Sequence, residues 1–304
     1  MQPVCSMLAV TLIMSLCAIA AAMPIAAVSS GMAAATSTPP STTVPWGAIN
    51  DASPVFTPDG NTVVFTRGEG LSRRILVSHR HAGSWSTPER ASFSGAWMDL
   101  EPAMAPDGSY LVFVSNRPVT PGGTPLDGYF GGKPRPGRGG NLWRVNREGH
   151  HWSAPVRLPD IINTSPATYS PAVAADGSVY FMRPDPQSRH FRLYVSHLVH
   201  DRLQAPTPLS FSDGTTSDVD PAIAPDQSFI VFSSNRKPSP PDAGDLFVAF
   251  ATPAGWSQPI QLGPSGDEAR LGPDLSTLYF SATDHRIQSM PIAPWLARYA
   301  GMAR

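Results

Sequence analysis

The sequence predicts an all-β fold, a β-propeller of four-stranded antiparallel blades. Three observations predict it: a phrase centred on aspartate that recurs five times, a nearly constant spacing between its copies, and alternating apolar runs flanking each copy. The phrase reads SPVFTPDGNTVVFTR at 53–67, EPAMAPDGSYLVFVSNR at 101–117, SPAVAADGSVYFMR at 170–183 and DPAIAPDQSFIVFSSNR at 220–236. A degraded fifth copy, ARLGPDLSTLYFSATD, spans 269–284. The central aspartates Asp59, Asp107, Asp176, Asp226 and Asp274 are therefore 48, 69, 50 and 48 residues apart.

Each copy encodes a β-hairpin. Alternation such as Val63 and Phe65, or Leu111 and Phe113, has the period of a strand. In Pro-Asp-Gly the proline presets φ, the aspartate bonds its own backbone, and the glycine takes the positive φ that closes the turn. Gln227 and Leu275 replace that glycine in the last two copies, so those turns are expected to change type or carry mild strain. The third copy has one residue fewer before its phenylalanine, which implies a tighter turn or a lost bulge.

Two further strands fit between copies: Arg74–His79 with Trp85–Pro88, Asn141–Asn146 with Trp152–Leu158, Arg192–His197 with Gln204–Leu209, and Asp245–Phe250 with Trp256–Leu262. Four short strands per period of about 50 residues make a propeller blade, and stacking around a ring covers the faces that one blade leaves open. Repeats near 51–98, 99–166, 167–217, 218–266 and 267–292 give five blades, with six as the alternative. The last repeat lacks an outer strand, and residues 42–49 are expected to supply it and close the ring. Residues 293–304 remain as a C-terminal tail.

The first 50 residues carry no charged side chain, and an apolar run of about 16 residues from Met7 to Ala22 has the length of a signal-peptide core rather than a membrane span. Residues 1–36 are expected to be a signal peptide, although Met1-Gln2-Pro3-Val4 has no Lys or Arg; an uncleaved anchor is the competing reading. Both cysteines, Cys5 and Cys17, lie in this leader, so the mature chain would have no disulfide and no thiol chemistry. The formal charge of −1 argues against a nucleic-acid partner or an anionic membrane surface. A periplasmic or secreted monomer without a membrane span is expected.

The Pro-Asp-Gly hairpin, the Ser-Asn-Arg exits at Ser115–Arg117 and Ser234–Arg236 and the Trp-x-x-Pro outer strand resemble the TolB-type β-propeller repeat. The resemblance covers nearly all of residues 42–292 and implies a stand-alone exported propeller that binds or scaffolds. The α/β domain that precedes the TolB propeller has no counterpart between the leader and the first repeat. No Gly-x-Ser-x-Gly nucleophile elbow occurs.

In a blade of this kind the Pro-Asp turns share a face with the strand 3–4 turns, which here bear His79–His81, His150–His151 and His197–His200. The opposite face receives the acidic links into the innermost strands: Asp51, Asp99, Glu101, Asp218, Asp220, Asp267 and Glu268. It also receives the basic exits of the second strands, Arg67, Arg117, Arg183 and Arg236, with Asp284 in the last copy. In one reading each arginine locks a link aspartate as a charge-assisted pair. In the other, carboxylates at the channel mouth bind a ligand or act as an acid/base pair, as in glycoside hydrolysis. Glu101 and Asp220 lead the second reading, because their repeat equivalents are read as Ser53, Ser170 and Ala269. The histidines lack companions for a metal site, and Trp85, Trp152 and Trp256 recur in register as inter-blade packing.

The 69-residue gap comes from an insertion, residues 118–140, whose glycine and proline content predicts no regular structure. It lies on the acidic face with Lys133, Arg135 and Arg138, and its adjacent Tyr129 and Phe130 suggest contact. A smaller excursion spans Lys237–Gly244. The expected function is binding or scaffolding of an envelope protein or small ligand, with no catalytic residue, metal or cofactor. The candidate contacts are Asp99, Glu101, Asp218, Asp220, Asp267, Glu268, Arg117, Arg236, Tyr129 and Phe130. The alternative is a glycosidase- or lactonase-like hydrolase using Glu101 and Asp220, with a divalent cation as an option.

Overall fold

The computed structural model describes residues 42–43, 47–130, 132–149, 151–239 and 244–299. The expected leader with both cysteines, Pro45 and Trp46 of the expected closing strand, His150 and part of the second excursion lie outside the described residues.

Five antiparallel sheets form a five-bladed propeller. The blades open with inner strands Asp51–Phe56, Asp99–Met104, Tyr169–Val173, Asp218–Ile223 and Asp267–Leu271. The second strands, Thr62–Arg67, Tyr110–Ser115, Val179–Pro184, Phe229–Ser234 and Thr277–Ser281, return antiparallel across the Pro-Asp turns. The second-strand phenylalanines Phe65, Phe113, Phe181, Phe232 and Phe280 are all fully buried, which is why each repeat keeps one despite the shortened third copy. Gln227 and Leu275 take φ of 60° and 55°, beside 68°, 73° and 82° at Gly60, Gly108 and Gly177. The glycine-less turns thus keep the same left-handed geometry and bear its strain.

The outer strands are broken, and proline breaks them. Ser84–Trp85 and Glu89–Arg90 straddle Pro88, His151–Trp152 and Val156–Arg157 straddle Pro155, and Gly255–Trp256 and Ile260–Ser265 straddle Pro259. Proline cannot donate to the ladder, so pairing stops there and resumes beyond it. The hydroxyls of Ser86, Ser153 and Ser257 bridge the gap by accepting from the amides of His79, Asn146 and Phe250. Trp152 packs edge-on against Phe93, and Trp256 against Tyr180 and Phe211, so these indoles join neighbouring blades.

The fifth blade is completed from the N-terminal side. Thr42–Thr43 pairs with Ser289 and Gln288, a shorter strand than 42–49, and the Asn50 amide donates to the His285 carbonyl. The tail is not featureless: Ala293–Tyr299 is a helix that packs Trp295 and Leu296 on the apolar core of the last two blades.

The 118–140 insertion corrects the expectation of no regular structure. Gly128–Phe130 and Lys133–Arg135 form a small antiparallel hairpin. The Asp127 carboxylate accepts from the Gly137 amide, and the Tyr169 hydroxyl donates to the Arg138 carbonyl, which pins the loop to the ring. A Cβ on Gly128 would lie 2.3 Å from the Arg138 carbonyl oxygen. Its glycines therefore permit close backbone approach rather than disorder.

Candidate functional site

All five inner strands carry a β-bulge at the same place. Register shifts occur between Ala52 and Val55, Leu100 and Ala103, Tyr169 and Ala172, Val219 and Ala222, and Asp267 and Arg270. The first bulged residue has positive φ in every blade: Ser53, Glu101, Ser170, Asp220 and Glu268. Proline follows it in the first four, so the missing donor sits where the ladder is interrupted anyway. Holding five non-glycine residues in this sparsely populated region is strain repeated around one axis, and here it aims polar side chains at that axis. The fifth member of this set is Glu268, not Ala269. The repeat register expected for the last copy was one residue out, and the channel ring holds three carboxylates and two serines.

The ring is bonded to itself. The Ser53 hydroxyl donates to Glu268 Oε2 at 2.8 Å, the Glu268 amide to Asp220 Oδ2 at 3.0 Å, and the Ser170 hydroxyl to Asp220 Oδ1 at 2.5 Å. The Ser170 amide donates to Glu101 Oε2 at 2.6 Å, and the Glu101 amide donates to the Thr66 hydroxyl. Glu101 and Asp220 are 6% and 5% exposed. Burial, then the neighbouring Asp220 and Glu268 carboxylates, push the Glu101 carboxyl up to about 7.

The remaining acids divide in two. Asp51, Asp99 and Asp218 stand two residues before the bulged position and pair with the exit arginine of their own blade: Arg67–Asp51 at 2.6 Å, Arg117–Asp99 at 3.0 Å and Arg236–Asp218 at 2.6 Å. Among the predicted contacts, Asp99, Asp218, Arg117 and Arg236 thus make blade-internal locks, and the guanidinium groups also lie over Phe113 and Phe232. Where Thr168 replaces the aspartate, Arg183 instead lies 4.3 Å over Tyr194 and bonds Thr164. Where Gly266 does so, the arginine is absent too, its place taken by Asp284. Asp267 differs: it occupies the position of Ala52, Leu100, Tyr169 and Val219. The residue as a whole is exposed at the edge of the ring, but its carboxyl turns into the recess, where desolvation, then Glu268 and Asp220, pushes it up to about 8.

These groups surround a recess of about 390 Å³ on the loop face. Glu101, Asp220, Asp267 and Glu268 form an acidic wall; Met98, Leu100, Met182 and Val219 supply apolar surface. Arg73, Arg135 and Arg138 complete the lining, with Arg73 Nη1 3.9 Å from Glu268 Oε1. The Arg138 guanidinium reaches Gly70, where a Cβ would meet it at 2.9 Å, so the insertion of blade 2 touches the 68–73 loop of blade 1 at the mouth. The insertion's aromatics part company. Phe130, 49% exposed, lines the recess, whereas Tyr129 lies 4.2 Å under Arg189 outside it. Arg73 had no signal in the repeat, because the exit arginine Arg67 occupies the recurring position. Among the described residues no group of three or more His, Cys, Asp or Glu side chains is arranged to hold a metal ion.

No protein-family model and no curated protein matches this sequence. Solved structures do resemble the fold. A protein from Agrobacterium tumefaciens assigned as TolB superposes with a TM-score of 0.51 at 16% identity, over 80% of this chain and 78% of that one. TolB from Acinetobacter baumannii gives 0.45 at 18% identity over 73% of this chain; the match spans 46% of that protein's length. A glycoside hydrolase gives 0.48 at 12% identity, covering 83% and 89%. At these identities the likeness shows the propeller fold and nothing finer. Among the described residues no helix is long and apolar enough to cross a membrane.

Proposed function

We propose that the protein is an exported binding propeller of the cell envelope that holds a cation-bearing small ligand or protein segment in the loop-face recess. The observation that supports this reading is the convergence of Glu101, Asp220, Glu268 and Asp267 on one mouth. Three of the five blades place a carboxylate at the bulged position, and Asp267 adds a fourth where the other blades carry Ala52, Leu100, Tyr169 and Val219, which concentrates acid on this mouth alone. Export rests on the charge-free, apolar leader of the sequence.

Hydrolysis is less well supported by the same geometry. A general acid or nucleophile must present a free oxygen to substrate. Both Asp220 oxygens already accept from the ring's own donors, so of the pair that hydrolysis would need only Glu101 keeps an oxygen without one. A bound ammonium or guanidinium would instead draw protons off Asp267 and Glu101, whose carboxyls are raised to about 8 and about 7, and pair with the charge so released.

Calorimetric titration with N-acetyl-lysine amide and its neutral norleucine isostere tests this. The lysine probe is expected to bind and the isostere not. Asp267→Asn and Glu101→Gln should each weaken binding about fivefold, roughly 1 kcal/mol. Binding should tighten from pH 6 to pH 8 as Glu101 ionises. Equal binding of both probes, or indifference to both substitutions, would refute the reading. Turnover of chromogenic glycosides or lactones that disappears in Glu101→Gln would establish the hydrolase instead.

A further inference from the structure

A second recess, of about 190 Å³, opens on the opposite face among the Pro-Asp turns. Its lining side chains are apolar, with backbone polar groups exposed between them and prolines such as Pro58 and Pro225 in the wall. The exception is Arg270. Four residues before each repeat's aspartate stand Val55, Ala103, Ala172, Ala222 and Arg270, so one blade places a guanidinium where the others place a small aliphatic group.

Arg270 is 3% exposed. Its Nη1 donates to the Ala269 carbonyl at 2.7 Å. Its Nε leans on the Pro102 carbonyl at 3.4 Å, which carries the side chain across the channel from the fifth blade to the second. Nη2 is buried without a hydrogen-bond partner among the described residues, and Arg270 makes none of the ion pairs found among them. The ring carboxylates line the other mouth and accept from serines and backbone amides. A permanent cation that lines an open recess yet keeps a buried, unused donor is a costly arrangement that an anion reaching the guanidinium would relieve.

We propose that this recess is a carboxylate site, in which a short aliphatic acid sets one oxygen on the Arg270 guanidinium, turning its unused Nη2 donor to the ligand, and lays its chain against the alanine and proline wall. The wall itself selects the class. Its side chains offer no second donor beside Arg270, so a phosphate or sulfate would find one side-chain cation for three or four charged oxygens. A monocarboxylate needs one donor and can leave its other oxygen towards the solvent-facing rim. This site lies on the other face from the acidic recess and depends on none of its residues.

The test is titration of the wild-type protein, followed by NMR and thermal shift, with hexanoate, acetate, hexanamide and inorganic phosphate. Hexanoate should bind at least fivefold more tightly than acetate, and hexanamide and phosphate should not bind measurably. Arg270→Met, confirmed folded by circular dichroism, should weaken hexanoate at least tenfold, with Arg270→Lys intermediate. Hexanamide binding as well as hexanoate, acetate matching it, phosphate exceeding it, or undiminished binding in Arg270→Met would each overturn the assignment. If Arg270→Met does not fold, the wild-type comparison of hexanoate with hexanamide still decides.

Discussion

Glu101 should make the folded protein less stable as pH rises from 5 to 8. An isolated glutamate titrates near 4.5, whereas burial and the Asp220 and Glu268 carboxylates raise Glu101 to about 7. Below 4.5 the group is protonated in both the folded and unfolded chains and costs nothing. Between the two values the unfolded chain loses the proton and the native ring keeps it, so each pH unit favours unfolding by about 1.4 kcal/mol. Above 7 the penalty levels off at roughly 3 kcal/mol, an upper figure because Glu101, Asp220, Glu268 and Asp267 share the protons. Glu101→Gln keeps an oxygen to accept from the Ser170 amide and abolishes the titration. Urea midpoints for both proteins at pH 5, 6, 7 and 8 isolate the effect, since histidine contributions cancel in the difference. The turn aspartates Asp59, Asp107, Asp226 and Asp274 are held below the ordinary carboxylate value, so their opposite influence falls below this window. Glu101→Gln should be the more stable protein at pH 8 by about 2–3 kcal/mol and nearly level with wild type at pH 5. Parallel pH profiles for the two proteins would show that Glu101 is an ordinary exposed acid and that the ring is not the buried cluster described.

Asp218→Ala should cost about 2–4 kcal/mol in urea unfolding by leaving Arg236 without its partner, and adding Arg236→Met should restore part of it; equal losses in single and double variants would argue against a lock. Deleting residues 1–46 should lower stability by about 1–3 kcal/mol, because two paired residues leave the edge of the fifth blade open; an unchanged thermal midpoint would refute closure through that strand.

The blade was legible because everything that makes it is local. Alternation, Pro-Asp turns and tryptophan spacing are set within a few dozen residues, and the arginine–aspartate locks join groups of the same hairpin. The 118–140 loop departs from its composition, since glycine and proline content predicts no regular structure there and the chain forms a pinned hairpin. At Gly128 the missing Cβ is what lets two backbone segments meet, which composition does not distinguish from flexibility. The last repeat hides its register because Ala269 replaces the proline after the bulge; the count back from Asp274 places Glu268 in the ring and Arg270 among the small residues.

The sequence by itself determined the hairpins, their number and the face on which each loop emerges, since those follow from turn chemistry and period. Only closure of the ring decided which acids meet. Ser53, Glu101, Ser170, Asp220 and Glu268 are separated by about 50 residues or more, and nothing local links them. They converge because five equivalent bulges share one axis, where the same positive-φ backbone turns each side chain inward and the enclosed channel strips away its water. That convergence turns dispersed carboxylates into one coupled group, and it brings Arg270 of the last hairpin against the Pro102 carbonyl of the second blade, a contact that no single hairpin contains.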